Sequence, residues 1–117
     1  MVMTLDFNDT ITAYPTELRH LAHAVIADGG QVHIVSAVMP RNIQKTKDKI
    51  KHAGIPHTSA VVFGFVNYDD IPQKKLVAVR KLASEIHFDD NPAVCFLLGM
   101  NGILALRVEG FSKRGTL

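Results

Sequence analysis

Hydrophobic and polar positions alternate along this chain in two rhythms. Five short, nearly unbroken apolar runs are rich in β-branched and aromatic residues: Val2 to Leu5, Val32 to Val35, Val61 to Phe65, Ile86 to Phe88 and Ile103 to Val108. Runs of this length and composition predict strands covered on both faces, as in a parallel sheet. Four segments of helical spacing lie between them. Thr16 to Ala27 sets Leu18, Leu21, Ala22 and Val25 on one stripe, begins just after Pro15 and stops at Gly29-Gly30, which are helix start and stop signals. Asn42 to Ala53 has few large apolar residues apart from Ile43 and Ile50 and ends at Gly54, so a mostly exposed helix with a C-terminal glycine is expected. Lys74 to Ser84 carries Leu76, Val77, Val79, Leu82 and Ala83, and Pro92 to Leu98 predicts a short fourth helix. The order β-α-β-α-β-α-β-α-β predicts an α/β fold with a five-stranded parallel sheet and crossover helices.

Right-handed crossovers bring the carboxyl ends of such strands to one edge, where loops and helix N-termini collect ligands. The first strand ends at Asp6, followed by Asn8, Asp9 and Thr10; the second ends at Ser36; Lys74-Lys75 open the third helix; the fourth strand ends at Asp89-Asp90. Each has a plainer reading alone. Asp9-Thr10 suits a turn, and Asp89-Asp90-Asn91-Pro92 suits the cap of the following helix. The joint order, each element at a strand end or helix start, favours a functional rim.

Composition narrows the setting. A chain of 117 residues with 47% hydrophobic content suits one compact domain over residues 1–117, with Gly110 to Leu117, including Lys113-Arg114-Gly115, expected as a mobile tail or an oligomer contact. The single Cys95 sits in the apolar segment AVCFLLGM and is expected to be a buried thiol, which fits a reducing, cytoplasmic location. No segment is long and apolar enough to span a bilayer. A formal net charge of +2 does not by itself argue for nucleic acid. The run Arg41, Lys45, Lys47, Lys49 and Lys51, offset only by Asp48, reads as a solvated helix face or as a track for substrate phosphates. His20 and His23 lack a third ligand at recognisable spacing, and His87 is expected to point away from the neighbours of Asp89 or into packing, with no role assigned.

The ordered set Asp6-Phe7-Asn8-Asp9-Thr10, then Ser36, then a lysine, then Asp89-Asp90 resembles the motifs of the haloacid dehalogenase superfamily over nearly the whole chain. The resemblance implies a three-layer Rossmann-like fold without a cap domain. It also implies Mg²⁺-dependent phosphatase or phosphotransferase chemistry, with Asp6 as the nucleophile that forms an aspartyl-phosphate. Ser36 and Lys75 would bind phosphoryl oxygens, with Lys74 the competing lysine and Thr10 and Arg41 further substrate contacts. Asp6, the carbonyl of Asn8, and Asp89 or Asp90 would hold Mg²⁺. The chemistry agrees: phosphoryl transfer needs cations to neutralise nucleophile and phosphoryl oxygens together, and Mg²⁺ prefers hard oxygen ligands. A receiver domain places its paired acids after the first strand, and the third strand here ends in Gly64-Phe65 with no acid; no G-x-G-x-x-G follows the first strand either.

One position departs from the family pattern. Family phosphatases carry a second Asp where this chain has Asn8, and that Asp protonates the leaving group and then activates water. An amide does neither, and Asp9 is an inferior substitute because adjacent side chains point elsewhere. The expectation is a slow or specialised hydrolase. The alternative is a catalytically impaired module of the same fold that binds phosphate groups or a protein partner. With no room for a cap, the resemblance implies a large substrate such as a phosphorylated nucleic-acid end, or a homo-oligomer in which a neighbour serves as the lid; a nucleotide or sugar phosphate stays open.

Overall fold

β1 (Val2–Leu5) forms the centre of a five-stranded parallel sheet, flanked by β2 (Gln31–Val38) and β4 (Ile86–Asp89), with β3 (Ser59–Gly64) and β5 (Leu104–Arg107) at the edges. Residues 1–110 are described by the structure, a computed structural model; the expected tail beyond Gly110 lies outside them. Four helices connect the strands: α1 (Pro15–Ala27), α2 (Ile43–Ala53), α3 (Ile71–Lys81) and α4 (Pro92–Met100). The register Leu5↔Phe88 brings the ends of β1 and β4 level, whereas Leu5↔Ile34 leaves β2 running four residues further.

Strand alternation divides the core into two. Met3, Leu5, Ile34 and Phe88 pack with Leu18, Ala22 and Val25 of α1 and Ile50 of α2. Leu76 and Val79 of α3 pack with Val94 and Leu98 of α4 in a second cluster. Helices therefore cover both faces of the sheet, giving a three-layer Rossmann-like α/β architecture. Thr4 and His87, in register with one another, alternate away from Leu5 and Phe88 and so lie on the α3/α4 side. Among the described residues, no helix is long and apolar enough to cross a membrane.

Three expectations need correction. β2 runs to Val38 rather than Val35, because β3 continues to pair with it through Val38↔Gly64; Ser36 is therefore inside a strand. α3 starts at Ile71 rather than Lys74 and has Pro72 in its first turn, so the segment Asn67 to Gln73 supplies a short 3-10 turn, Tyr68–Asp70, and the first turn of a helix. The edge strands are not covered on both faces; Leu104 is 57% exposed.

α3 also ends earlier than its apolar pattern suggests. Ala83 N–H donates to Arg80 O at 2.9 Å and Ser84 N–H to Val79 O at 3.1 Å, the paired bonds of a Schellman C-terminus. That motif needs a left-handed residue, and Ala83 supplies it at φ 56° despite its Cβ. Ala83→Gly should therefore stabilise the fold by about 1 kcal/mol, read as an upward shift in thermal midpoint. An unchanged or lower midpoint would show that the turn is not strained.

Candidate active site

The site begins where β1 stops. Asp6 keeps one further ladder bond, its N–H donating to Phe88 O at 2.9 Å, so its carboxylate sits at the carboxyl edge of the central strand. The chain then folds back through Phe7–Ile11, anchored by the buried side chains of Phe7 and Ile11. Asp9 takes φ 61°, a conformation Asp tolerates better than most residues, and its N–H donates to Thr12 Oγ1 at 2.8 Å. This turn returns Thr10 to the strand end, where its hydroxyl donates to Asp6 Oδ2 at 3.1 Å.

Lys75 enters from the second turn of α3 and is only 2% exposed. Its Nζ donates to Asp6 Oδ1 at 2.7 Å and to Asp89 Oδ2 at 2.8 Å. Asp89, at the end of β4, is enclosed by donors: His87 Nε2 lies 2.8 Å from Oδ2, and Asn91 N–H donates to Oδ1 at 3.0 Å. Asn91 in turn caps α4, its Oδ1 accepting from Ala93 N–H at 2.9 Å. The Asp-Asp-Asn-Pro segment thus caps a helix and serves the acidic rim at once. Carboxylate oxygens of Asp6, Asp89 and half-buried Asp90 all lie within 4.8 Å of one another.

Electrostatics separate the acids. Burial pushes the Asp6 carboxyl up; Lys75 pulls it down, but Asp89 and a hydrogen bond with Asp90 add to the rise, and it is pushed up to about 7. Burial would raise Asp89 as well, yet the ammonium of Lys75 and the bond from His87 outweigh it and bring this carboxyl down to about 2. Asp90 is raised, by burial first and then by the charges of Asp89 and Asp9. Burial alone would lower Lys75, but the two facing carboxylates reverse this and hold it above its ordinary value, charged. Such opposed shifts in neighbouring carboxylates mark candidate functional sites.

A pH dependence follows from Asp6. Its folded value lies above the ordinary 3.8, so the folded chain binds the extra proton and stability is lost as pH rises from about 4 to about 7. Asp89 acts at the other end, losing stability as pH falls from 3.8 towards about 2. His33, lowered by burial, opposes Asp6 near neutrality, so the isolating measurement is a difference. With a chelator present, the thermal midpoint of Asp6→Asn minus that of wild type should grow more positive from pH 4 to pH 7. A flat difference would show that Asp6 is not raised.

The other sequence candidates fall in different places. Lys74 is exposed, and its Nζ donates to Gly64 O at 3.2 Å, not to the acids. Arg41 lies exposed in the turn Pro40–Asn42 before α2. Asn8 is exposed, two residues beyond Asp6, and its side chain makes no hydrogen bond to the acids. Ser36 is fully buried, level with Val62 in the β2–β3 register, and its Oγ has no hydrogen-bond partner among the described residues. Cys95 is half-buried rather than buried, donating to Asp89 O at 3.6 Å, and burial pushes its thiol up to about 11. His20 and His23 are exposed on α1.

His87 requires a correction: it faces Asp89 rather than neutral packing. Sequence reasoning missed it, together with Thr4 and Ser84 behind it. The signal was present, because residues i and i+2 of a strand share a face, which puts His87 with Asp89.

The donor set suits a hard divalent cation. Three carboxylates converge at a strand edge, and two of them are raised, by burial first and then by the charges of their acidic neighbours. Among the described residues, no histidine or cysteine joins the cluster.

No family model matches the chain, and no curated protein matches it. Among solved structures it is similar to a chain of a Pnkp1/Rnl/Hen1 complex, with TM-score 0.67 and 14% identity over 92% of this chain and 45% of that one. A chain of a Pnkp1/Rnl/Hen1 RNA repair complex gives TM-score 0.67 and 14% identity over 92% and 42%. A universal stress protein in complex with cAMP gives TM-score 0.58 and 12% identity over 94% and 97%. At these identities the likeness is one of fold. This chain spans less than half the length of the first two.

Proposed function

We propose that this chain is a Mg²⁺-dependent phosphohydrolase or phosphotransferase of the haloacid dehalogenase type, acting through an aspartyl-phosphate on Asp6. The observation that carries the reading is Lys75, buried and bridging Asp6 and Asp89 at 2.7 and 2.8 Å beside a third carboxylate. A structural ion pair needs one acid; a lysine shared by two, at the carboxyl edge of a parallel sheet, suits a site that must receive more negative charge.

Asp6 attacks phosphorus through one carboxylate oxygen, and the bond to the leaving oxygen breaks with its electron pair. Lys75 stays protonated and neutralises charge on Asp6 and on the incoming phosphoryl oxygens. Thr10, donating to Asp6 Oδ2, orients the carboxylate so that Oδ1 faces the substrate once Lys75 shifts towards the phosphoryl group. Asp6 and Asp90 would hold Mg²⁺ directly; when bound, the ion supplies positive charge against both nucleophile and phosphoryl oxygens. Asp89, with both oxygens already accepting hydrogen bonds, anchors Lys75 instead. The unpartnered Ser36 hydroxyl is disfavoured where it is, by about 1–3 kcal/mol, so a substrate-bound state that gives it a partner is favoured. Water then releases phosphate and restores Asp6.

With Asn8 in place of a carboxylic acid, the leaving group departs without a proton, so good leaving groups are preferred. Hydrolysis of the intermediate is slow, which favours transfer to a better acceptor. A cytoplasmic location, with Cys95 reduced, belongs to the same reading. The second reading, a phosphate- or partner-binding module, is favoured by one observation: Asn8 is exposed and makes no bond to the acids. The test is phosphate release with and without Mg²⁺ from an aryl phosphate, acetyl phosphate, nucleotides and a 3′-phosphorylated oligonucleotide. The oligonucleotide is included because of the basic run on α2 and the RNA repair complex among the fold neighbours. Release that requires Mg²⁺ supports the enzyme; silence on every substrate favours the binding module.

A further inference from the structure

A polar chain lies behind the acids, on the buried side of the sheet, and the proposed reaction does not use it. His87 is fully buried, yet both ring nitrogens are engaged. Nε2 lies 2.8 Å from Asp89 Oδ2, and Nδ1 lies 2.7 Å from Thr4 Oγ1. Thr4 Oγ1 lies 2.9 Å from Ser84 Oγ, whose hydroxyl donates to Ile86 O at 2.9 Å.

Proton counting orders this chain. A carboxylate only accepts, so Nε2 must carry the proton that faces Asp89; Nδ1 meets the Thr4 hydroxyl, which can donate to or accept from it. The other neutral tautomer would set a ring lone pair against a carboxylate oxygen at hydrogen-bond distance. Asp89 therefore sets the Nε2 proton, Thr4 fixes the ring from its other edge, and the ring aims one N–H at Asp89. Asn91 N–H holds the other Asp89 oxygen at 3.0 Å, which leaves the carboxylate no freedom to turn. An imidazole buried here loses its hydration, which only these two bonds offset; an aliphatic side chain would fill the space without that cost.

We propose that His87, held by Thr4, is a positioning residue: it locks the Asp89 carboxylate in the orientation that keeps Lys75 shared between Asp89 and Asp6. Without the His87 N–H, Asp89 Oδ2 is free to turn towards Lys75 alone, and the ammonium moves off Asp6. Only the kinetic consequence rests on the reading of Asp6 as nucleophile; the placement of Lys75 does not.

The experiment compares wild type, His87→Leu, His87→Gln and Thr4→Val, the last nearly isosteric and chosen to fold if His87→Leu does not. Two readouts run in parallel: steady-state phosphate release, and the ¹⁵N resonance of the Lys75 ammonium, which needs no substrate. Loss of an outer hydrogen-bond partner typically costs 10–100-fold, so kcat of His87→Leu should fall by about that factor with KM within about twofold. His87→Gln, which keeps an N–H near the same place, should recover most of the loss, and Thr4→Val should fall between. The Lys75 resonance should move in His87→Leu and Thr4→Val and return in His87→Gln. A role in packing alone would lower the thermal midpoint without lowering kcat of folded protein, and Gln would not rescue it; that result overturns the proposal. If wild type releases no phosphate from any substrate, the enzyme reading fails and the resonance decides: a Lys75 signal unchanged in folded His87→Leu or Thr4→Val overturns the positioning role, and a shifted one supports it.

Discussion

Asp6→Asn should reduce Mg²⁺-dependent phosphate release by at least about a thousandfold, the scale seen when a nucleophile is removed, while leaving the fold as stable as wild type or more so at neutral pH. The two halves of this result have one cause. Asp6 is buried beside Asp89 and Asp90, and its carboxyl is raised to about 7; at neutral pH and without a cation, the folded chain already holds about half of this group in its neutral form. An amide has nearly the same shape, keeps an oxygen that can accept from Lys75 Nζ, and removes the repulsion that a second charge would exert on Asp89. A catalytic loss through misfolding would lower the thermal midpoint together with the rate. Loss of the nucleophile lowers the rate alone, and it also abolishes a phosphorylated, hydroxylamine-sensitive species trapped by acid quench. Mg²⁺-dependent release that survives in Asp6→Asn would remove the nucleophile from the proposed function and leave the acidic rim as a binding site.

The legible parts of this site share a physical origin. Asp6 and Asp89 could be nominated because each is the polar residue that ends an apolar strand, and a carboxylate at the carboxyl edge of a buried strand is seldom needed for packing alone. Lys75 was harder to separate from Lys74. Adjacent residues on a helix point about 100° apart, so the choice depends on which stripe faces the core, and Lys74 with Val77 and Ala78 offers a competing apolar stripe. With the start at Ile71, Lys75 lies on the stripe Ile71, Lys75, Val79 and Leu82, and a lysine in an apolar stripe points into the protein. His87 was misjudged through strand parity rather than lack of signal.

Ser36 shows a different limit. Its nomination assumed that β2 ends at Val35, but strand length depends on how far the neighbouring strand pairs, and that pairing is a property of β3 that no local pattern in β2 encodes. The sheet order β3-β2-β1-β4-β5 is of the same kind. Element order and strand composition predict that the sheet is parallel, whereas the adjacency of β1 and β4, which sets Asp6 level with Asp89, comes from tertiary packing. The values of the acids were beyond the sequence for the same reason, since Asp6 and Asp89 have equal intrinsic acidity and are driven apart only by how each is enclosed.

Asn8→Asp is the substitution expected to raise activity, and its magnitude distinguishes a disarmed enzyme from a binding module. General acid-base help is typically worth about 10²–10⁴-fold, so an alkyl phosphate, whose leaving oxygen needs a proton, should gain close to that factor. An aryl or acyl phosphate should gain much less in the first step. The position is favourable for such a group: Asn8 is exposed, two residues beyond Asp6, with φ −68° and ψ 131°, an extended conformation that a carboxylate side chain adopts as readily as an amide. The introduced charge joins a rim that already carries Asp6, Asp89 and Asp90, so the variant should be less stable than wild type in chelator and should regain that stability in Mg²⁺. Solvent screening at an exposed position keeps this difference small. A rise confined to alkyl substrates, together with faster decay of the acid-trapped phosphoenzyme, would mean that nucleophile, lysine and cation site are intact and that Asn8 alone limits turnover. Turnover that stays at background in both wild type and Asn8→Asp, with phosphate or a phosphorylated ligand still bound, would mean that the rim is built to hold a phosphoryl group rather than to transfer it.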